Sequence, residues 1–319
     1  MTVAERPSDN GRHKDVPTDS GRDAEPPRAG WRPFSFRDLF RFEILSGYKQ
    51  VNAMTLDAYR ISTEPYYRAV GDEIALFEAA YAGRLPVMLK GPTGCGKTRF
   101  IEHMAWRLGR PLVTVAAHED MTAADLAGRF LLAPEGTVWQ DGPLALAVRG
   151  GAICYLDEIV EARQDTTVVI HPLTDSRRIL PLDKKNELVP AHADFQLVIS
   201  YNPGYQSAVK DLKESTKQRF VAIDFDYPAP DIEAEIVVRE AGVDRDVAHR
   251  LVDIALRSRN LRGQGLDEGA STRMLIHAGR LMIAGVGLVA ASRASIVLPI
   301  TDDADMREAL TAAIEACIQ

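Results

Sequence analysis

The chain has 319 residues, 46% of them hydrophobic and 26% charged, with a formal net charge of −7. That length is enough for a large core and a second, smaller domain, and the acidic balance argues against a general nucleic-acid or membrane-surface binder. The three cysteines, Cys95, Cys154 and Cys317, have no metal-ligand spacing and imply reduced thiols in a cytoplasmic protein.

Residues 1–30 are rich in Pro, Gly, Arg, Asp and Ser and contain no Leu, Ile or Phe. Such a segment cannot bury enough apolar surface to offset its ordering entropy, which predicts disorder. From Trp31 the character changes. Phe34, Phe36, Leu39, Phe40, Phe42, Ile44 and Leu45 alternate with charges, the pattern of a short amphipathic helix that docks on the body or on a partner, or else of translated sequence with no role. No charged-then-apolar leader opens the chain. Residues 1–53 are therefore read as an extension, 54–228 as the α/β core and 229–319 as a helical domain.

The core announces itself at Pro86–Lys90, an apolar strand pattern, followed by Gly91-Pro92-Thr93-Gly94-Cys95-Gly96-Lys97-Thr98 and the helical pattern Arg99–Leu108. The loop fits G-x-x-x-x-G-K-[ST] at every fixed position, in the strand–loop–helix context that the motif needs. Glycines let successive N–H groups turn inward on an anion. Lys97 can reach the β- and γ-phosphates of ATP, and Thr98 can offer its hydroxyl to Mg²⁺. Cys95 inside the loop reads as a small filler, although its oxidation could block nucleotide.

Further strands are predicted at 112–117, 152–157, 196–202 and 220–226, alternating with helical patterns. This is the signature of a parallel five-stranded sheet between helices. The second of these runs, Ala152–Leu156, ends in Asp157-Glu158. Carboxylates at the C-terminal end of a buried parallel strand face the ligand crevice. There Asp157 can hold Mg²⁺, and Glu158 can act as general base on a water attacking the γ-phosphate. The third ends at Asn202, whose amide can orient that water, although Asn202-Pro203-Gly204 also suits a plain turn. Residues 126–143 interrupt a helix begun at Thr122, and 177–195 read as a hairpin with a charged tip around Asp183–Glu187.

Beyond Pro228 and Pro230 the pattern is helical over 231–241, 246–258, 271–283 and 303–318, with Thr301, Asp302 and Asp303 as N-cap candidates for the last. Leu281–Ala291 is the most apolar segment. It is too short to span a bilayer and is predicted to be a core helix. The histidines, including His171 and His192, lack metal-site spacing, and none is assigned to chemistry.

The order of phosphate loop, strand-Asp-Glu, strand-Asn, Arg219 and late Arg273 resembles the AAA+ ATPases. Leu89–Phe100, Asp157–Asp165 and Ser200–Gln206 are similar to the CbbQ/NirQ/NorQ branch of the MoxR group. The resemblance implies an ATP- and Mg²⁺-dependent ATPase with a C-terminal helical lid. It implies that Lys97 and Thr98 are the Walker A pair, Asp157 and Glu158 the Walker B pair, Asn202 sensor 1 and Arg273 sensor 2. Arg219 is implied as the arginine finger acting across a subunit boundary, with Arg177, Arg178 and Lys217 nearby in sequence. The two hairpin insertions are implied to face a ring pore; read without the family they are surface hairpins, with Trp139 packed on the core. The branch implies a hexameric ring and an adaptor with a von Willebrand factor A domain (CbbO/NorD-like). It also implies a client enzyme: Rubisco if the chain is of the CbbQ type, which the surroundings of Gln140–Pro143 and Leu180–Lys185 favour, or nitric oxide reductase if of the NorQ type. A phosphate-loop kinase of a small molecule shares the loop but needs no Glu158, Asn202 and trans arginine in this order. A nucleotide-dependent binding module without hydrolysis would need neither Glu158 nor Asn202.

Overall fold

Successive side chains of a strand point to opposite faces of its sheet, and a strand buried on both faces must be apolar throughout. The structure, a computed structural model, describes residues 56–134, 136–203 and 211–316. The readings of residues 1–53, of Gly204–Gln206 and of Cys317 lie outside the described residues. Five strands, β1 (Val87–Lys90), β2 (Leu112–Ala116), β5 (Ile153–Asp157), β8 (Gln196–Tyr201) and β9 (Val221–Asp224), form one parallel sheet in the order β2-β5-β8-β1-β9. Each lies within two residues of its predicted bounds.

The alternation sorts cleanly. Val87, Leu89, Ile153, Tyr155 and Val198 enter one core with Phe77 and Ala80 of α1 (Glu73–Ala82) and Phe100, Ile101 and Met104 of α2 (Lys97–Arg107). Met88, Cys154, Leu156, Leu197 and Ile199 enter the other, with Leu126 of α3 (Ala123–Ala127) and Leu144, Ala147 and Val148 of α4 (Pro143–Gly150). The result is a three-layer helix–sheet–helix sandwich.

Both insertions are hairpins on the face of α3 and α4. Gly128, at φ +130° with the Gln140 carbonyl where a Cβ would stand, turns the chain out of α3 into β3 (Gly128–Ala133) and β4 (Gly136–Asp141). There Phe130 faces Trp139 edge-on, with ring centroids 5.0 Å apart. The second hairpin pairs β6 (Ile179–Leu182) with β7 (Glu187–Pro190). Arg149 braces the two together, 3.0 Å from Asp141 and 2.7 Å from Glu187. Trp139 packs on the core while Leu132 and Leu188 stand 85% and 65% exposed.

After Pro228 come α5 (Pro230–Ala241), α6 (Arg245–Asn260), α7 (Thr272–Ile283), α8 (Leu288–Ser292) and α9 (Ala304–Ala316). They pack around an apolar core of their own, with Val237, Leu251, Val252, Leu275 and Ile296 at its centre. Asp303 caps α9 by accepting from the Met306 N–H at 2.8 Å, one of the three predicted candidates. The expectation for Leu281–Ala291 fails. Helix α7 ends at Ile283, Gly285 takes φ +95°, and Ile283 is 63% exposed. A run of apolar residues carries no helical face once Gly285 and Gly287 interrupt it. Among the described residues no helix is long and apolar enough to cross a membrane.

Candidate functional site

The loop between β1 and α2 is shaped by three glycines with positive φ, Gly91, Gly94 and Gly96. A Cβ on Gly91 would lie 2.3 Å from the Phe225 carbonyl oxygen, whereas one on Gly96 would meet nothing within 4 Å. Gly91 thus lets the loop pass β9, and Gly96 leaves open space at the first turn of α2, where unpaired N–H groups favour an anion. Lys97 is 7% exposed. Its ammonium donates to the carbonyls of Gly91 (2.8 Å) and Pro92 (2.7 Å) and to Oδ1 of Asn202 (2.7 Å). Burial lowers the pKa of Lys97, against the pull of nearby acidic groups that include Asp157, Glu268 and Glu158. A buried cation whose donors rest on three neutral acceptors fits a site for a polyanion.

The tips of β5 and β8 supply the acidic side. Asp157 Oδ1 accepts from the hydroxyls of Tyr155 (2.8 Å) and Ser200 (2.6 Å). Ser200 Oγ in turn accepts from the Glu158 N–H at 2.7 Å. Glu158 itself sits at φ 53°, ψ 41°. The left-handed region costs a non-glycine residue about 1 kcal/mol or more, a strain that concentrates at functional sites. Both bonds to Asp157 end on Oδ1, so Oδ2 is the atom available to a hydrated cation.

Thr93, Gly94, Cys95, Gly96, Lys97, Thr98, Asp157, Glu158, Asn202 and Arg273 line one cleft of about 370 Å³. Gly91 and Pro92 do not line it; their contribution is the two carbonyls that hold Lys97. The opposite wall comes from α5 and α7, through Ile236, Glu240, Ile276, His277 and Arg280, and from the segment before α1, through Tyr66 and Tyr67. That segment is pinned by Glu73, whose carboxylate accepts from the Tyr67 hydroxyl (2.8 Å) and the N–H groups of Val70 (2.9 Å) and Gly71 (2.8 Å). Across the mouth, Glu240 lies 3.5 Å from Arg99 and 3.7 Å from Arg280.

Residues 86–220 match the family described as AAA domain (dynein-related subfamily), and residues 233–317 match the one described as CbbQ/NirQ/NorQ C-terminal. Protein CbbQ of Hydrogenophilus thermoluteolus is 69% identical over 257 residues, which are 81% of this chain and 96% of that protein. This chain belongs to the CbbQ/NirQ/NorQ family of AAA ATPases. Protein NorQ of Paracoccus denitrificans is 59% identical over 77% of this chain and 91% of its own length. The denitrification regulatory protein NirQ of Pseudomonas aeruginosa is 56% identical over 75% and 92%. As a family member the chain is a nucleotide-binding enzyme, an ATPase.

Arg219 lies away from this CbbQ/NirQ/NorQ-family cleft. Its Nε donates to the Ser215 carbonyl at 3.1 Å, and its guanidinium is 4.0 Å from Asp175. Of its sequence neighbours, Arg178 is committed to the carbonyls of Arg84 (2.7 Å) and Phe195 (2.8 Å). Lys217 is held by Asp211 (2.9 Å) and Glu214 (3.1 Å). Arg177 shares Asp175 with Arg219. Sequence reasoning missed Ser200, Tyr66 and the α5–α7 wall. A serine inside a wholly buried strand, Gln196-Leu-Val-Ile-Ser200-Tyr201, was a signal for the first, since a buried hydroxyl needs a partner. The others carry no local mark.

Proposed function

We propose that this ATPase hydrolyses Mg-ATP in the cleft between the sheet tips and α7, and that a hexameric ring uses the cycle to remodel a client enzyme with a von Willebrand factor A domain adaptor. The observation that carries the reading is the convergence of Lys97, Thr98, Asp157, Glu158, Asn202 and Arg273, from four separate segments, on one cleft. Lys97 and the loop N–H groups hold the β- and γ-phosphates. Asn202, 2.7 Å from the Lys97 ammonium, aligns a water with the γ-phosphorus. Glu158 takes the proton of that water as the new P–O bond forms and the bond to the β-phosphate oxygen breaks. Thr98 and Asp157 would hold magnesium, which supplies charge neutralisation between the phosphates. Arg273 contacts the γ-phosphate from the helical region, which serves as a lid, and Arg219 serves the nucleotide of a neighbouring subunit.

Rubisco is the client favoured by the 69% identity to a CbbQ protein, against 59% for a NorQ protein. The test is to mix the full chain, its adaptor and ATP with inhibited Rubisco, and separately with immature nitric oxide reductase. Recovery of carboxylation supports the proposal; gain of reductase activity alone assigns the chain to the second client. Steady release of inorganic phosphate with no acceptor present separates this motor from a small-molecule kinase.

A further inference from the structure

Glu233 of α5 is fully buried, and its partner Arg259 of α6 is 13% exposed. The guanidinium donates twice to the carboxylate, at 2.8 and 2.7 Å, and its Nε donates to the Ala270 carbonyl at 2.8 Å. The Thr272 hydroxyl gives Glu233 a third donor at 2.6 Å. A buried ion pair is a weak source of net stability, because desolvation offsets its attraction. What the planar fork does supply is a fixed geometry. Here it fixes α5, α6 and the first turn of α7 to one another.

The same guanidinium stacks on Tyr227, 3.8 Å from the ring centroid. Tyr227 belongs to the chain between β9 and α5, and its hydroxyl donates to the Thr93 carbonyl of the phosphate loop at 3.2 Å. The two ends of this path also touch directly: a Cβ on Gly94 would lie 2.6 Å from Cβ of Ser271. Thr93 and Thr272 line the cleft, while Tyr227, Arg259 and Glu233 do not. A continuous line of contacts thus runs behind the cleft wall from the phosphate loop to the residue preceding Arg273.

We infer that Tyr227, Arg259 and Glu233 are positioning residues for ATP hydrolysis, which set Arg273 by tying the first turn of α7 to the phosphate loop. The inference rests on Arg273 being the lid's γ-phosphate contact. Tyr227→Phe is the sharpest probe, since it keeps the ring on Arg259 and removes the hydroxyl that bonds the Thr93 carbonyl. Arg259→Lys keeps the charge and removes the fork and the stacking.

The full chain is assayed for phosphate release, ADP affinity and melting temperature, with each variant alone and combined with Arg273→Ala. Tyr227→Phe is expected to lower kcat about fivefold, the loss of one hydrogen bond, with ADP Kd and melting temperature unchanged. Arg259→Lys is expected to lower kcat further. Combined with Arg273→Ala, either change is expected to add less than about twofold, because residues that act through one another are not additive. Wild-type kcat in Tyr227→Phe, or losses that multiply fully on the Arg273→Ala background, overturns the relay while Arg273 keeps its role. Wild-type kcat in Arg273→Ala removes both.

Discussion

At the residue scale the site divides binding from chemistry. In the proposed mechanism Lys97 holds phosphate, so Lys97→Ala should weaken ATP binding by at least about tenfold. In the same proposal Glu158 positions and deprotonates water, so Glu158→Gln should bind ATP normally and lose about 10²–10⁴-fold in turnover. Filter binding and phosphate release distinguish the two, and equal loss of binding in both would sink the division. Ser200 is the hinge of the acidic pair, accepting from the Glu158 N–H and donating to Asp157. Its loss leaves the strained backbone at Glu158 unsupported. Ser200→Ala is expected to cut kcat by about tenfold, the worth of roughly one to two buried hydrogen bonds, with ATP affinity little changed. A kcat within experimental error of wild type would show that Asp157 and Glu158 hold their places without it.

At the element scale, burial separates what stabilises from what is presented outward. Phe100 of α2 is fully buried, with Tyr67, Phe77 and Phe225 rings within 5.6 Å. Truncation to alanine should cost about 3–5 kcal/mol in urea unfolding. Leu132 at the end of β3 is 85% exposed, and Leu132→Ser should change stability by less than about 0.5 kcal/mol. If the hairpin meets partner or client, the same change lowers client activation while leaving basal ATP hydrolysis intact. A Leu132→Ser protein that activates its client at the wild-type rate would remove the hairpin from that role. Arg149, bridging both hairpins, makes them one braced unit.

At the scale of the whole molecule the cleft is built without Arg219. If Arg219 is the finger of the proposed ring, it acts on a neighbouring subunit's nucleotide, where arginine fingers contribute about 10³–10⁵ in rate. Arg219→Ala should bind nucleotide and lose most turnover. Rings that mix Arg219→Ala with Lys97→Ala subunits should regain part of it, because intact Arg219 then meets intact Lys97. Mixed rings that stay inactive would place Arg219 elsewhere. The extension belongs to this scale too. The H. thermoluteolus relative is covered over 96% of its length by 81% of this chain, and every residue assigned to the cleft lies beyond Met54. A chain starting at Met54 should hydrolyse ATP at a rate close to the full chain; a soluble but inactive truncation would give residues 1–53 a part in catalysis.

The sequence by itself determined the sheet and the phosphate-binding half of the cleft, because both are written locally. Continuous apolar runs mark strands buried on two faces, and glycines at fixed spacing mark a loop that folds its own N–H groups inward. The tip residues Asp157 and Asn202 follow from those strands directly. Composition alone misled at Leu281–Ala291, where two glycines broke what apolarity suggested. The tertiary structure decided the far wall of the cleft, the Ser200 bridge and the path from Tyr227 to Thr272. These join residues far apart in the chain, such as Thr93 with Tyr227 and Glu233 with Arg259. A contact of that kind is set by how helices dock on the sheet and on each other, and no periodicity in either partner encodes it.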